Sequence, residues 1–81
     1  MTREDVVKRT QEVFRDIFDD HDLVINDSMT AKDIGDWESL NHISLLGAIQ
    51  QEFKIKFELG ELQYLNNVGA IIHLILKKQG H

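Results

Sequence analysis

Apolar residues return at helical spacing in three stretches of this 81-residue chain, and each stretch predicts a helix. In the first, Val6, Val7, Val13, Phe14 and Ile17 form a stripe that Thr10 also fits, while Arg3, Lys8, Arg9, Glu12, Arg15 and Asp16 fill the opposite face. Thr2 and Asp5 have the spacing of a capping box, which places this helix at roughly 2–18. In the second, Leu40, Ile43, Leu46, Ile49 and Phe53 follow at steps of three, three, three and four, and Leu45 widens the stripe. This helix should open at Ser39 and end near Phe53-Lys54. Gly47 lies inside it and lowers helix propensity by about 1 kcal/mol relative to Ala, which points to a packing or access role. The third stretch, 68–78, carries Val68, Ile71, Ile72, Ile75 and Leu76, with Lys77 and Lys78 where cations suit the helix dipole and Gly80 just beyond.

The connections are unequal. Residues 19–38 are rich in turn formers, with Asp19-Asp20-His21-Asp22 and Asn26-Asp27-Ser28 the clearest runs. Leu23, Val24, Ile25, Met29 and Ile34 punctuate this stretch, as expected of a long loop pinned onto a core. Ile55-Lys56-Phe57 alternates like a strand but has no partner, so it reads as an extended connector with Ile55 or Phe57 turned inward. Leu59, Leu62 and Leu65 allow one or two helical turns within 58–65, and Asn66-Asn67 then recaps the chain. The expected fold is therefore all-α. It is a four-helix bundle with three longer helices, one short helix and a long first loop, in one domain spanning 1–81.

Composition narrows the possible functions. Fourteen acidic residues against nine basic ones give a net charge of −5, which disfavours nucleic acid and anionic membrane surfaces as partners. The longest apolar run, 68–76, is interrupted by Gly69 and His73 and is too short for a membrane span. The charged start Met1-Thr2-Arg3-Glu4-Asp5 lacks the apolar segment of a signal peptide, so a cytoplasmic monomer is expected. Without cysteine, neither disulfides nor thiolate metal sites are open to the chain. His21, His42, His73 and His81 share no ligand spacing, so no metal site is expected. His42 lies one turn after Ser39, but no third group completes a nucleophilic pair, and it reads as a surface histidine. The run at 19–22 lacks the glycine and closing glutamate of a calcium loop.

The informative segment is Asp33-Ile34-Gly35-Asp36-Trp37-Glu38-Ser39-Leu40-Asn41-His42-Ile43. A glycine and acidic residues precede a Ser-Leu pair that opens an apolar helix, a pattern that resembles the acyl carrier protein family of phosphopantetheine-binding carriers. The resemblance continues in Phe53, which ends the second helix as the family's Glu-Phe does, and in Asn67-Val68, where the family usually has Thr-Val. It implies that the chain is a carrier rather than an enzyme, and that Ser39 accepts 4'-phosphopantetheine from coenzyme A through a separate Mg-dependent phosphopantetheinyl transferase. The arm would then hold an acyl group as a thioester. Asp36, Trp37, Glu38, Leu40, His42 and Ile43 would face the transferase and the acyl- or aminoacyl-loading enzymes.

Physical chemistry agrees with that implication, because a helix N-terminus presents unpaired N–H groups and the positive dipole end to a phosphodiester. A lone serine there would otherwise read as an N-cap. The chain also departs from fatty acid carriers. Glu38 replaces the usual Asp, and Asp36-Trp37-Glu38 is one residue longer than the common Gly-Ala-Asp-Ser spacing. The positions expected to be exposed after Ser39 (Asn41, His42, Ser44, Gln50, Gln51) are neutral apart from Glu52. Asp36-Trp37-Glu38-Ser39-Leu40-Asn41-His42 resembles the Trp-Asp-Ser-Leu versions in dedicated carriers, including D-alanyl and some biosynthetic-cluster carriers, which implies a specialised pathway. An aminoacyl carrier, or a helical interaction module with no prosthetic group, are the alternatives. Trp37 reads either as an aromatic anchor for the loop or as a partner contact. An acyl cavity could be lined by Leu45, Leu46, Ile71 and Ile75, with Ala48, Gly69 and Ala70 leaving space.

Overall fold

In a computed structural model of the chain, residues 2–35 and 37–79 are described, the side chain of Ser39 excepted. The expectations for Asp36, Gly80 and His81 fall outside the described residues. The helices are α1 (Arg3–Phe18), α2 (Ser39–Phe53), α3 (Leu59–Leu62) and α4 (Val68–Gln79). They make the expected all-α bundle, with α1 packed against both α2 and α4. The only bridge among the described residues joins Thr30 to Asn67.

The capping box of α1 forms. Thr2 Oγ1 accepts the Asp5 N–H at 3.1 Å, and the Asp5 carboxylate accepts the Thr2 N–H at 3.3 Å. That backbone bond, with the Thr2 hydroxyl, holds the Asp5 carboxyl below the usual carboxylate range. Val6, Thr10, Val13, Phe14 and Phe18 are the buried face of α1. The Thr10 hydroxyl is buried with no hydrogen-bond partner among the described residues. The long loop is tied to α1 by Arg15 Nε donating to the Leu23 carbonyl at 2.7 Å and by the Ile25 N–H donating to Gln11 Oε1 at 3.0 Å. Ile25 and Ile34 are buried and Met29 and Leu23 partly so, but Val24 is exposed and is not an anchor.

The core face of α2 differs from the expected stripe. Leu45, Leu46, Ile49 and Phe53 are buried, whereas Leu40 and Ile43 are 75% and 70% exposed. The reason is geometric. A step of three residues falls about 60° short of a full turn, so a run of such steps winds around the helix instead of staying on one face. Beyond α2, Lys54 closes the helix in the left-handed region at φ 54°, and Phe57 turns inward with its N–H donating to Gln50 Oε1 at 2.9 Å. At α3, the Glu58 N–H donates to Glu61 Oε1 at 2.7 Å, and Lys78 Nζ stands 2.9 Å from the same oxygen. Together they hold the Glu61 carboxyl below its ordinary range, the Glu58 bond contributing most. Leu59 is exposed, and Leu65 anchors this segment in its place.

The start of α4 is closed on three sides. Asn67 Oδ1 accepts the Ala70 N–H at 2.8 Å, as expected of a cap. The Val68 and Gly69 N–H groups donate to the carbonyls of Met29 and Asp27 at 3.0 and 2.9 Å. Gly69 leaves no spare room: a Cβ there would lie 2.9 Å from the Asp27 carbonyl oxygen. Leu45, Leu46, Ile71 and Ile75, the residues that could line an acyl cavity, are packed in the core and line none of the clefts described.

Candidate functional site

The segment leading into α2 is fixed by an aromatic side chain. Trp37 is 5% exposed, and its ring meets Phe14 edge-on at 5.5 Å and Phe18 at 6.4 Å. Edge-to-face contact of this kind is favourable beyond simple burial. The Trp37 N–H donates to the Ile34 carbonyl at 3.0 Å, closing the turn before it. Trp37 thus anchors the loop onto α1, with one side lining the cleft at the start of α2.

The anchor extends into α2 through His42. Trp37 Nε1–H donates to His42 Nδ1 at 2.8 Å, with ring centroids 5.9 Å apart. His42 is half-buried, and burial pushes its imidazole below the ordinary histidine pKa by disfavouring the cation. It is not the surface histidine expected. The missed signal was its register: Leu45 and Leu46, Ile49 and Phe53 follow His42 at three and four, seven and eleven residues, so it continues the buried stripe.

Glu38 occupies the N-cap position of α2, at φ −112° and ψ 178°, and its side chain makes no capping hydrogen bond. Ser39 is consequently the first helical residue and not the N-cap. The first turn of α2 contains no acidic residue. Its backbone N–H groups lie at the positive end of the helix dipole. The side chain of Ser39 and all of Asp36 lie outside the described residues.

Leu40 and Ile43 lie three residues apart on the exposed side of the helix, and Gly47 follows one turn on. Gly47 is exposed with open space where a Cβ would stand, so it has no packing role within the molecule and leaves the helix backbone accessible. Ser44, Gln51 and Glu52 are exposed, but Asn41, His42 and Gln50 are half-buried, contrary to expectation. Gln50 is held by the Leu46 carbonyl and the Phe57 N–H. Glu52 lies 3.4 Å from Arg9.

A cleft of about 390 Å³ opens beside the start of α2, lined by Ala31, Trp37, Glu38, His42 and Asn66. Among the clefts described, it alone includes the neighbour before Ser39 and the residue one turn after it. No cluster of His, Asp or Glu among the described residues has the make-up of a metal site. None of their helices is long and apolar enough to cross a membrane.

Together these features define a small helical bundle, with a pinned first loop and an exposed apolar helix start beside a cleft of mixed lining. Comparison with solved structures makes the class specific. The chain is similar to the holo acyl carrier protein from Geobacter metallireducens in its solution NMR structure, with a TM-score of 0.86 and 40% identity over 93% of this chain and 86% of that one. No protein-family model matches the chain, and no curated protein sequence does. The identity and coverage of the structural match are decisive: the chain belongs to the acyl carrier protein family.

Proposed function

We propose that this protein is a carrier, not an enzyme, and that it holds acyl groups on a 4'-phosphopantetheine arm joined to Ser39. The observation that carries this reading is the position of Ser39. It opens α2 directly after an N-cap residue whose side chain makes no cap bond, in a chain 40% identical to a holo acyl carrier protein. The surroundings suit such a group. Backbone N–H groups and the helix dipole favour a phosphodiester at that point. The adjoining cleft offers polar side chains, His42 and Asn66, to the amides of an arm. When bound, the arm supplies a terminal thiol that carries the acyl group as a thioester. The chain's own part is to present the serine hydroxyl to a phosphopantetheinyl transferase and then to dock the loaded arm against cytoplasmic enzymes.

Leu40, Ile43 and the open backbone at Gly47 form the proposed docking face, with Glu38 beside it. Since Glu52 is the one carboxylate of α2, docking rests on apolar contact more than on charge. This favours a dedicated set of partner enzymes over the general enzymes of fatty acid synthesis. Binding to a cognate partner should change little with ionic strength, and a steep salt dependence would count against the reading. The same neutral helix, with Asp36-Trp37-Glu38-Ser39-Leu40, also suits an aminoacyl carrier of the D-alanyl or peptidyl type. Loading of the holo form by an adenylating enzyme, as opposed to a transacylating one, separates the two cargoes.

The central test is intact mass after co-expression with a broad-specificity phosphopantetheinyl transferase. One added arm is expected on the wild-type chain and none on Ser39→Ala. An unchanged wild-type mass, or an addition that survives the substitution, overturns the proposal.

A further inference from the structure

The Trp37–His42 contact fixes more than the loop. An indole N–H can only donate, so His42 Nδ1 must be the acceptor in the 2.8 Å bond between them. A neutral imidazole that accepts at Nδ1 carries its proton on Nε2. Trp37 itself is held edge-on by Phe14 at 5.5 Å and lies against Phe18, so neither the indole nor the imidazole ring is free to turn. The imidazole also lines the cleft of Ala31, Trp37, Glu38 and Asn66. The described residues offer its Nε2–H no acceptor.

We propose that His42 is a positioning residue for the prosthetic arm, donating its Nε2–H to an amide carbonyl of the arm within this cleft. This rests on Ser39 being the attachment point. The occupant is argued from its tether: the arm would start at the residue between Glu38 and His42, both of which line the cleft, and His42 lies one turn along the helix from that start. The chemistry also matches. Pantetheine presents amide carbonyls that need donors, and a fixed, uncharged donor orients a carbonyl without attracting the phosphodiester away from the helix end. Trp37 acts through His42, selecting the tautomer that leaves a donor and not an acceptor facing the cleft. Glu38 is the ionisable group that shares the cleft with His42, and it is an acceptor with no donor of its own for the arm.

The test uses the apo and holo forms of the full chain with ¹⁵N-labelled histidine, after intact mass has confirmed the arm. His42 is expected as the Nε2–H tautomer in both forms. Its Nε2 resonance should move on attachment, and its ring protons should show NOE contacts to the arm. In His42→Phe those contacts are lost while the arm is still attached, and His42→Gln, which keeps an N–H donor, restores part of the ordering. In Trp37→Phe the histidine becomes a mixture of tautomers and the contacts weaken. Should Trp37→Phe fail to fold, the two His42 variants decide alone. An arm that attaches but leaves His42 unmoved, or contacts that persist in His42→Phe, overturns this inference and leaves the attachment standing. A chain that takes no arm overturns both.

Discussion

The starts of α4 and α2 are opposite solutions to one problem, the unpaired N–H groups of a helix's first turn. At α4 the molecule closes its own helix. Asn67 caps the Ala70 N–H, and the carbonyls of Met29 and Asp27 take those of Val68 and Gly69. Val68 beneath them is fully buried. At α2 the cap residue Glu38 makes no side-chain cap bond, and two large apolar side chains, Leu40 and Ile43, face solvent. The first end is finished as structure. The second presents exposed apolar side chains instead, and under the proposed function it is the end at which the arm is attached. On that reading the absent Glu38 cap bond serves the arm, whereas the same chain builds a side-chain cap at α4.

The largest test of this contrast is Gly69→Ala. The new Cβ would meet the Asp27 carbonyl oxygen at 2.9 Å and Asn67 Oδ1 at 3.3 Å, so the loop must move off the helix. We expect a loss of about 2 kcal/mol in urea unfolding, in the range of overpacked sites. Next is the cap itself. Asn67→Ala should cost about 1 kcal/mol, whereas Glu38→Ala should stay within about 0.5 kcal/mol. Equal losses at the two positions would erase the distinction between a closed and an open start. Gly47→Ala sharpens it from the other side. The added methyl has open space and a helical backbone, so stability should rise by about 0.7 kcal/mol. A gain in stability joined to weaker binding of a partner enzyme would show that the glycine is retained for access. Unchanged binding would remove Gly47 from the docking face.

The fold was legible because its signals are local. The Thr2–Asp5 box, the turn formers after Asp19, the Asn67 cap and the lysines of the last turn each act within a few residues of one another, and each lies where its pattern predicts. Errors arose where the outcome depends on which side of a helix meets a neighbour. Leu40 and Ile43 sit at core-like spacing and by pattern belong to the apolar stripe, although the family resemblance has them facing partner enzymes; they and Leu59 are exposed, with no element among the described residues burying them. His42 failed in the opposite direction. Its polarity suggested surface, while its register with Leu46, Ile49 and Phe53 placed it against Trp37. Position on the helix decided the outcome in both cases, and residue type did not. The serine was found by resemblance to a family motif, whereas the tryptophan–histidine pair beside it needed the three-dimensional contact.

That pair gives the smallest and most specific effect, a dependence of stability on pH confined to the open start. The unfolded chain takes up a proton at His42 near the ordinary imidazole pKa, roughly 6.5. In the folded protein burial holds the imidazole below that value, and the proton would have to enter at Nδ1, where the Trp37 N–H now donates. Between the folded and unfolded pKa values the unfolded state therefore binds more protons. Stability falls as pH descends through that window and levels off below it. Thermal unfolding followed by circular dichroism should show the wild type losing more Tm than His42→Gln between pH 7.5 and 5, with the two curves parallel above the window. A wild-type profile that tracks the variant throughout would mean that His42 titrates alike in both states. The imidazole proposed to orient the arm would then lose this support.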